Sequence, residues 1–295
     1  YHSIYIPSIT YPLSVGNIQP SNLEAIQSKA TRKILPKCGY NRNTPKVIIY
    51  GPQELGGIEF RTLSVEQGIG QLTLFLKFWR TTFEASSLLR IATSWNQHMA
   101  GTSTSVLADV STPLPHLETT WIPSLRSFLK TINGSLELDT PFIAPLQREH
   151  DFHIMDTVLA HRPPFPPRTI RIINYCRLYL QATTASDICD PAGRNIDPAF
   201  RAGRPSILSS RSKNHHTVQA RPSDRHWTLW RHALSRFSKR TGRLHHPLGR
   251  WLFPGPLLSR EWPACISLAA NSLLIRTPAS FTMYPRLRRR RYSAV

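Results

Sequence analysis

Residues 62–83 read TLSVEQGIGQLTLFLKFWRTTF. Leu72, Phe75, Leu76, Trp79 and Phe83 recur at steps of three and four, the spacing that lines apolar side chains along one helix face. The helix is expected to start near Thr62 or Ser64. Gly68 and Gly70 fall inside it, each at a cost of about 1 kcal/mol relative to Ala. Their missing side chains suit close contact with another helix.

The same pattern extends to both sides. Ser21 and Glu24 have the spacing of a capping box, and Leu23, Ile26, Ala30 and Ile34 follow as a helical stripe that ends at Pro36. Ser86 to Met99 reads as a helix with Leu88, Leu89, Ala92, Trp95 and Met99 inward and Gly101 after its end. Thr119 to Ile132 reads as another, with Pro123 in its first turn and Asn133-Gly134 as its stop. Thr169 to Thr183 carries Ile170, Ile173, Cys176 or Arg177, and Leu180 at helical spacing. Asn41 to Pro45 is a polar loop, and Lys46 to Tyr50 reads as a strand or an extended linker.

Proline outnumbers glycine, 25 to 14, so extended connections and helix stops are frequent. Thr112-Pro113-Leu114-Pro115 is a joint, and Pro163-Pro164-Phe165-Pro166-Pro167 is a stiff extended segment. From Asp190 to Asp224 the chain is polar, basic and aperiodic, which reads as a linker or a partly disordered arm. Two helical stretches are expected beyond it. One starts at Asp224 and carries Trp227, Trp230, Leu234 and Phe237. The other starts at Ser259 and carries Trp262, Ile266, Ala269 or Ala270, and Leu273. The expected fold is mainly α, an irregular helical bundle with proline-rich connections and a basic, partly disordered C-terminal part.

Charge divides the chain more sharply than composition does. The formal net charge is +20. Residues 1–200 hold 18 Lys/Arg against 15 Asp/Glu, whereas residues 201–295 hold 19 against 2, Asp224 and Glu261. A nearly neutral body joined to a part that faces a polyanion is the direct implication, and nucleic acid is the favoured polyanion. On the stretch after Asp224, Arg231, Arg236, Lys239 and Arg240 accompany the aromatic stripe. The rings suit either base stacking or a hydrophobic core, and core is favoured at that spacing. The run Arg286, Arg288, Arg289, Arg290 and Arg291 suits a nucleic-acid contact, a nuclear-import-like patch or a linker.

Signatures of catalysis and metal binding are missing from the sequence. No adjacent Asp pair, G-x-S-x-G elbow or phosphate-binding glycine loop occurs. Glu137 and Asp139 follow an Asn-Gly turn and read as surface carboxylates. Glu149, His150, Asp151 and His153, with Asp156 nearby, form the densest group of metal-capable side chains and read as a polar helix start. The pairs His215-His216 and His245-His246 add pH-dependent charge. Cys38, Cys176, Cys189 and Cys265 form no C-x-x-C pair and read as reduced, mostly buried thiols of an intracellular protein, nuclear or cytoplasmic. No apolar run reaches the ~20 residues of a membrane span, so no membrane partner is expected.

Leu35 to Gly57, LPKCGYNRNTPKVIIYGPQELGG, has an order of turns and apolar residues that resembles the region downstream of the palm in non-LTR-type retroelement reverse-transcriptase-like proteins. Glu66-Gln67-Gly68, Phe78-Trp79-Arg80, Pro113 to Glu118, Trp121 to Leu129, Asn174 to Ala182 with Ser186-Asp187-Ile188, Trp227 to Arg231 and Pro247 to Trp251 continue the likeness in order. The resemblance implies a thumb-like helical region at 1–112, a connecting helical region at 113–190 and a basic C-terminal arm at 191–295. It implies a non-catalytic grip on RNA or an RNA/DNA duplex through phosphates, with Lys37, Arg42, Lys46, Lys77 and Arg80 as the first contacts in the helical part. The palm, its catalytic Asp pair and its Mg²⁺ would lie upstream of Tyr1, and a ribonuclease-H-like domain would follow Val295. The chain alone is then neither an enzyme nor a cofactor binder. A stand-alone RNA-packaging or structural protein, and a degenerate inactive retroelement fragment, are the alternatives.

Overall fold

A computed structural model describes residues 3–139, 142–203 and 221–252 in full, and the backbone alone of 264–267, 272–276 and 281–285. The chain is mainly α-helical. It forms two compact units whose limits differ from the three expected segments. The first comprises Tyr1–Asn96, Ser105–Thr112 and Leu117–Pro141, and the second Gln97–Thr104, Pro113–His116 and Phe142–Val295.

In the first unit, helix α1 (Tyr5–Val15) precedes α2 (Pro20–Ile34), the short α3 (Lys46–Tyr50), α4 (Leu63–Trp79), α5 (Glu84–Ala100, whose last residues belong to the second unit) and α6 (Trp121–Thr131). Helix α4 is the centre, packed on α1, α2 and α6. Its two glycines act as their positions suggest. A Cβ at Gly68 would overlap the Phe128 ring of α6, and one at Gly70 would overlap the Ser14 hydroxyl of α1. Helix α1 contains Pro12, which has no N–H to donate to the carbonyl four residues back, and this masks the helix in the sequence.

Several local expectations need correction. Lys46–Tyr50 is one helical turn, neither strand nor linker. No side chain caps α2; Glu24 instead meets Lys46 at 2.7 Å. The buried face of α2 is Leu23, Gln27 and Thr31, while Ile26 is exposed. Gln27 can be buried because its amide donates to Arg61 O (2.9 Å) and accepts from Leu63 N–H (2.6 Å), one of the orphan donors that open α4. Helix α5 buries a different face from the one expected, with Leu89 and Met99 half-buried at its edge. Ser86, Thr93, Gln97 and Ala100 are buried, whereas Leu88, Ile91 and Trp95 are 60%, 64% and 52% exposed. The buried polar side chains are satisfied locally: Thr93 donates to Leu89 O, and Gln97 to Thr102 O and Thr104 O.

Helix ends follow the sequence more closely. Asn133 takes φ 52°, its N–H donates to Lys130 O, and Gly134 N–H reaches back to Leu129 O at 2.8 Å, the Schellman closure of α6.

The second unit holds α7 (Ile154–Leu159), α8 (Pro167–Tyr179), α9 (Ala185–Ile188), α10 (Pro198–Arg201) and α11 (Asp224–Leu234). Its core joins Ile154, Met155 and Val158 of α7, Ile170, Ile173 and Cys176 of α8, and Trp227, Trp230 and Leu234 of α11. Residues 191–203 and 221–252 of the expected arm are therefore folded, with Ile196, Phe200, Leu244 and Leu248 in that same core. The second expected helical stretch is instead extended. Strands β1 (Ala264–Ser267), β2 (Ser272–Arg276) and β3 (Phe281–Pro285) form an antiparallel meander whose backbone register pairs Ile266 with Leu273 and Leu274 with Met283. Short apolar runs separated by Asn271 fit helix and strand templates alike, and pairing between strands decides. Ser259, Trp262, Ala269, Ala270 and the Arg286–Arg291 run lie outside the described residues.

Candidate nucleic-acid interface

Helix α11 sorts its residues by chemistry. Trp227 and Trp230 are buried against α8, and Trp230 Nε1 donates to Phe200 O at 3.2 Å. The rings are core and offer no stacking surface to a base. Arg231 points outward and donates to Thr228 Oγ1 (3.0 Å). Arg236 is exposed but tied back, donating to His161 Nδ1 (2.8 Å) and Arg162 O (3.3 Å).

Lys239 and Arg240 open a tight turn that runs to Arg243. Ser238 and Leu244 pair across it, and Lys239 N–H donates to Arg243 O at 2.7 Å. A distant segment lies along this turn. Asn195 bridges Arg243, Ile196 N–H donates to Gly242 O, and Leu244 N–H donates to Arg194 O. The Arg201 guanidinium donates to Arg240 O. Arg194, Arg201, Lys239, Arg240 and Arg243 thus converge, and none is ion-paired to a described carboxylate. Asp190 is engaged by Arg194 N–H and the Asn195 amide, and Asp197 caps α10 through Ala199 N–H. Arg194, Arg201 and Arg243 are additions to the sequence reading. Some 40 residues separate 201 from 240, so spacing in the chain gives no sign of their meeting.

In the first unit the candidates are more scattered. Lys37 and Arg42 are exposed on the turn system after α2, and Lys77 and Arg80 are exposed at the end of α4. Lys46 is neutralised by Glu24. Their mutual hydrogen bond raises the Lys46 pKa and lowers that of Glu24. The ion pair Arg61–Glu66 (3.5 Å) also belongs to this unit.

Three other arginines are withdrawn from any ligand. Arg126 is buried and donates to the carbonyls of Val106, Asp109 and Thr112. Arg148 donates to Gly249 O (3.0 Å), with its guanidinium 4.6 Å from the centre of the Trp251 ring. Arg177 is wholly buried and donates to Asn174 Oδ1, Ala182 O, His98 O and Met99 O. Burial lowers the pKa of all three, that of Arg177 to about 10. Each is spent on backbone carbonyls inside the fold.

The acidic and histidine cluster is structural as well. Residues 149–153 form a turn before α7, with His150 at φ 60°. Asp151 accepts from the N–H groups of Gln147, Phe152 and Ser186, while His153 Nε2 bonds Ala144 O. Asp156 accepts from Ser103 N–H, and Glu149 from Arg250 N–H. Among the described residues no group of His, Cys, Asp and Glu could hold a metal ion. Burial pushes the Cys176 and Cys189 thiols up to about 12, which leaves them un-ionised near neutrality. Cys38 is exposed, contrary to the expectation of mostly buried thiols. No helix among the described residues is long and apolar enough to cross a membrane.

No protein-family model, curated protein or solved structure matches the chain.

Proposed function

We propose that this chain is a non-catalytic, nucleic-acid-binding portion of a retroelement reverse-transcriptase-like polyprotein. It grips element RNA or an RNA/DNA duplex through phosphates, inside the cell, in the nucleus or cytoplasm. The observation that carries this reading is the division of labour after residue 190. Among the described residues there, Trp227 and Trp230 are buried, while Arg194, Lys239, Arg240 and Arg243 are exposed and paired with no described carboxylate. Exposed positive charge beside buried tryptophans favours contacts to the sugar–phosphate backbone over contacts to bases. The sequence resemblance supplies the parent, in which an upstream palm would hold Mg²⁺ and a ribonuclease-H-like domain would follow.

A salt series on the whole chain tests this. Affinity for a short RNA and for an RNA/DNA hybrid, read by fluorescence anisotropy, should fall as a power of salt concentration, with an exponent of about 0.7 to 0.9 per phosphate contacted. Absence of binding, or an affinity indifferent to salt, refutes the proposal.

A further inference from the structure

The turn from Lys239 to Arg243 is more than a place of high charge. Gly242 sits at φ 94°, and its N–H donates to Lys239 O at 2.8 Å, which closes the turn tightly. The amides of Arg240 and Thr241 at its apex donate to no described group. Arg201 holds the Arg240 carbonyl from behind, so that the turn has a second support besides its own bonds. Unclaimed N–H groups on a bent backbone make a concavity that favours anions. Guanidinium forks around such a concavity match the oxygens of a phosphate.

We infer that the Lys239–Arg243 turn, with Arg194 and Arg201 beside it, is the seat of a phosphodiester group of a nucleic-acid backbone. The inference rests on the nucleic-acid reading above and locates it. Lys239, Arg240 and Arg243 supply mobile charge, the apex amides supply fixed donors, and Arg201 keeps the turn in shape.

The test compares the whole chain with a Lys239→Gln, Arg240→Gln, Arg243→Gln triple variant in binding to an RNA/DNA hybrid across a salt series. Three lost phosphate contacts reduce the log–log salt slope by about 2.7, equal to a factor of about 40 between about 50 and about 200 mM salt. A control carrying Lys37→Gln, Arg42→Gln, Lys77→Gln and Arg80→Gln keeps the wild-type contribution of the turn. Gly242→Ala leaves every charge in place but strains the turn. Affinity falls severalfold in that variant if the backbone seat matters, and is unchanged if charge alone binds. Should the triple variant lose its helical circular dichroism, Arg240→Gln alone decides, with an expected slope change of about 0.9.

Three results speak against the inference, and they are distinguishable. Wild-type chain that binds no nucleic acid overturns the broader reading together with this one. Wild-type binding with an unchanged triple variant overturns the seat and leaves the broader reading standing. Inorganic phosphate at matched ionic strength that binds wild type but not the triple variant, without displacing the hybrid, assigns the seat to a free phosphate and overturns the nucleic-acid assignment.

Discussion

Replacing Arg177 by Met keeps most of the aliphatic stem and removes the guanidinium that four acceptors share. Nε donates to Asn174 Oδ1 at 2.8 Å, Nη1 to Ala182 O at 3.3 Å, and Nη2 to His98 O at 2.7 Å and Met99 O at 3.1 Å. Two of those carbonyls belong to the last turn of α5, where a cation also meets the negative end of the helix dipole. Gly101, at φ 66°, lies so close that an added Cβ would be 2.7 Å from Cζ of Arg177, so the guanidinium packs directly on bare backbone. Each buried acceptor left unpaired costs about 1 to 3 kcal/mol. Met99 O keeps a donor in the Asn174 amide (3.1 Å), so three acceptors lose theirs. Three at about 1.5 kcal/mol give about 4.5 kcal/mol, and relief from burying the charge returns part of that. A net loss of about 3 to 4 kcal/mol follows, a large share of the ~5 to 15 kcal/mol typical of folded proteins. With a urea dependence of about 2 kcal/mol per molar, the midpoint falls by about 1.5 to 2 M. Urea melts followed by circular dichroism measure it. Arg177→Lys keeps the charge but loses the fork, and should fall in between. A midpoint drop under about 0.5 M for Arg177→Met, or a Lys variant as stable as wild type, would refute the reasoning.

Gly68→Ala forces α4 away from Phe128 and should lower stability by about 1 to 3 kcal/mol, with recovery when Phe128→Ala is added; a thermal melt of the pair decides. Gln27→Leu strands Leu63 N–H and Arg61 O and should cost about 2 kcal/mol, while Gln27→Glu, which accepts but cannot donate, should cost less at Leu63 than at Arg61, as hydrogen exchange at the start of α4 would report. Asp109 has a pH signature. Burial raises its pKa, but hydrogen bonds from Thr112 and Ser111 more than offset that and bring it down to about 2 from 3.8. Because the folded value lies below the unfolded one, its stabilisation is complete above about pH 4 and is lost as the pH falls through about 2. Asp109→Asn should flatten the stability profile across that window, and an unchanged acid limb would count against it.

The places where sequence and structure agree share a physical cause. The closure at Asn133-Gly134, the Ile170–Ile173–Cys176 face of α8 and the role of Gly68 are local or steric, so the residue types carry the information themselves. Helix α5 is the opposite case. Leu88, Leu89, Ala92, Trp95 and Met99 make the better apolar stripe, yet the face bearing Ser86, Thr93 and Gln97 is buried, because hydroxyls and an amide can be taken inside once their partners are supplied. Similarly, the burial of Trp227 and Trp230 follows from their spacing. The convergence of Arg194 and Arg201 on the 239–243 turn depends on backbone bonds between segments far apart in the chain.

By itself, the sequence determined a mainly α-helical chain, the approximate starts of α2, α4, α5, α6, α8 and α11, the excess of positive charge after residue 200 and the burial of the α11 tryptophans. Propensity, periodicity and charge are properties of neighbouring residues, and neighbours suffice to read them. Tertiary structure alone decided which arginines are internal struts and which are exposed. Arg126, Arg148 and Arg177 have the same side chain as Arg194, Arg240 and Arg243. The first three donate to backbone carbonyls inside the fold. The others sit where the chain turns outward into water, and that difference exists only once the backbone has closed around them.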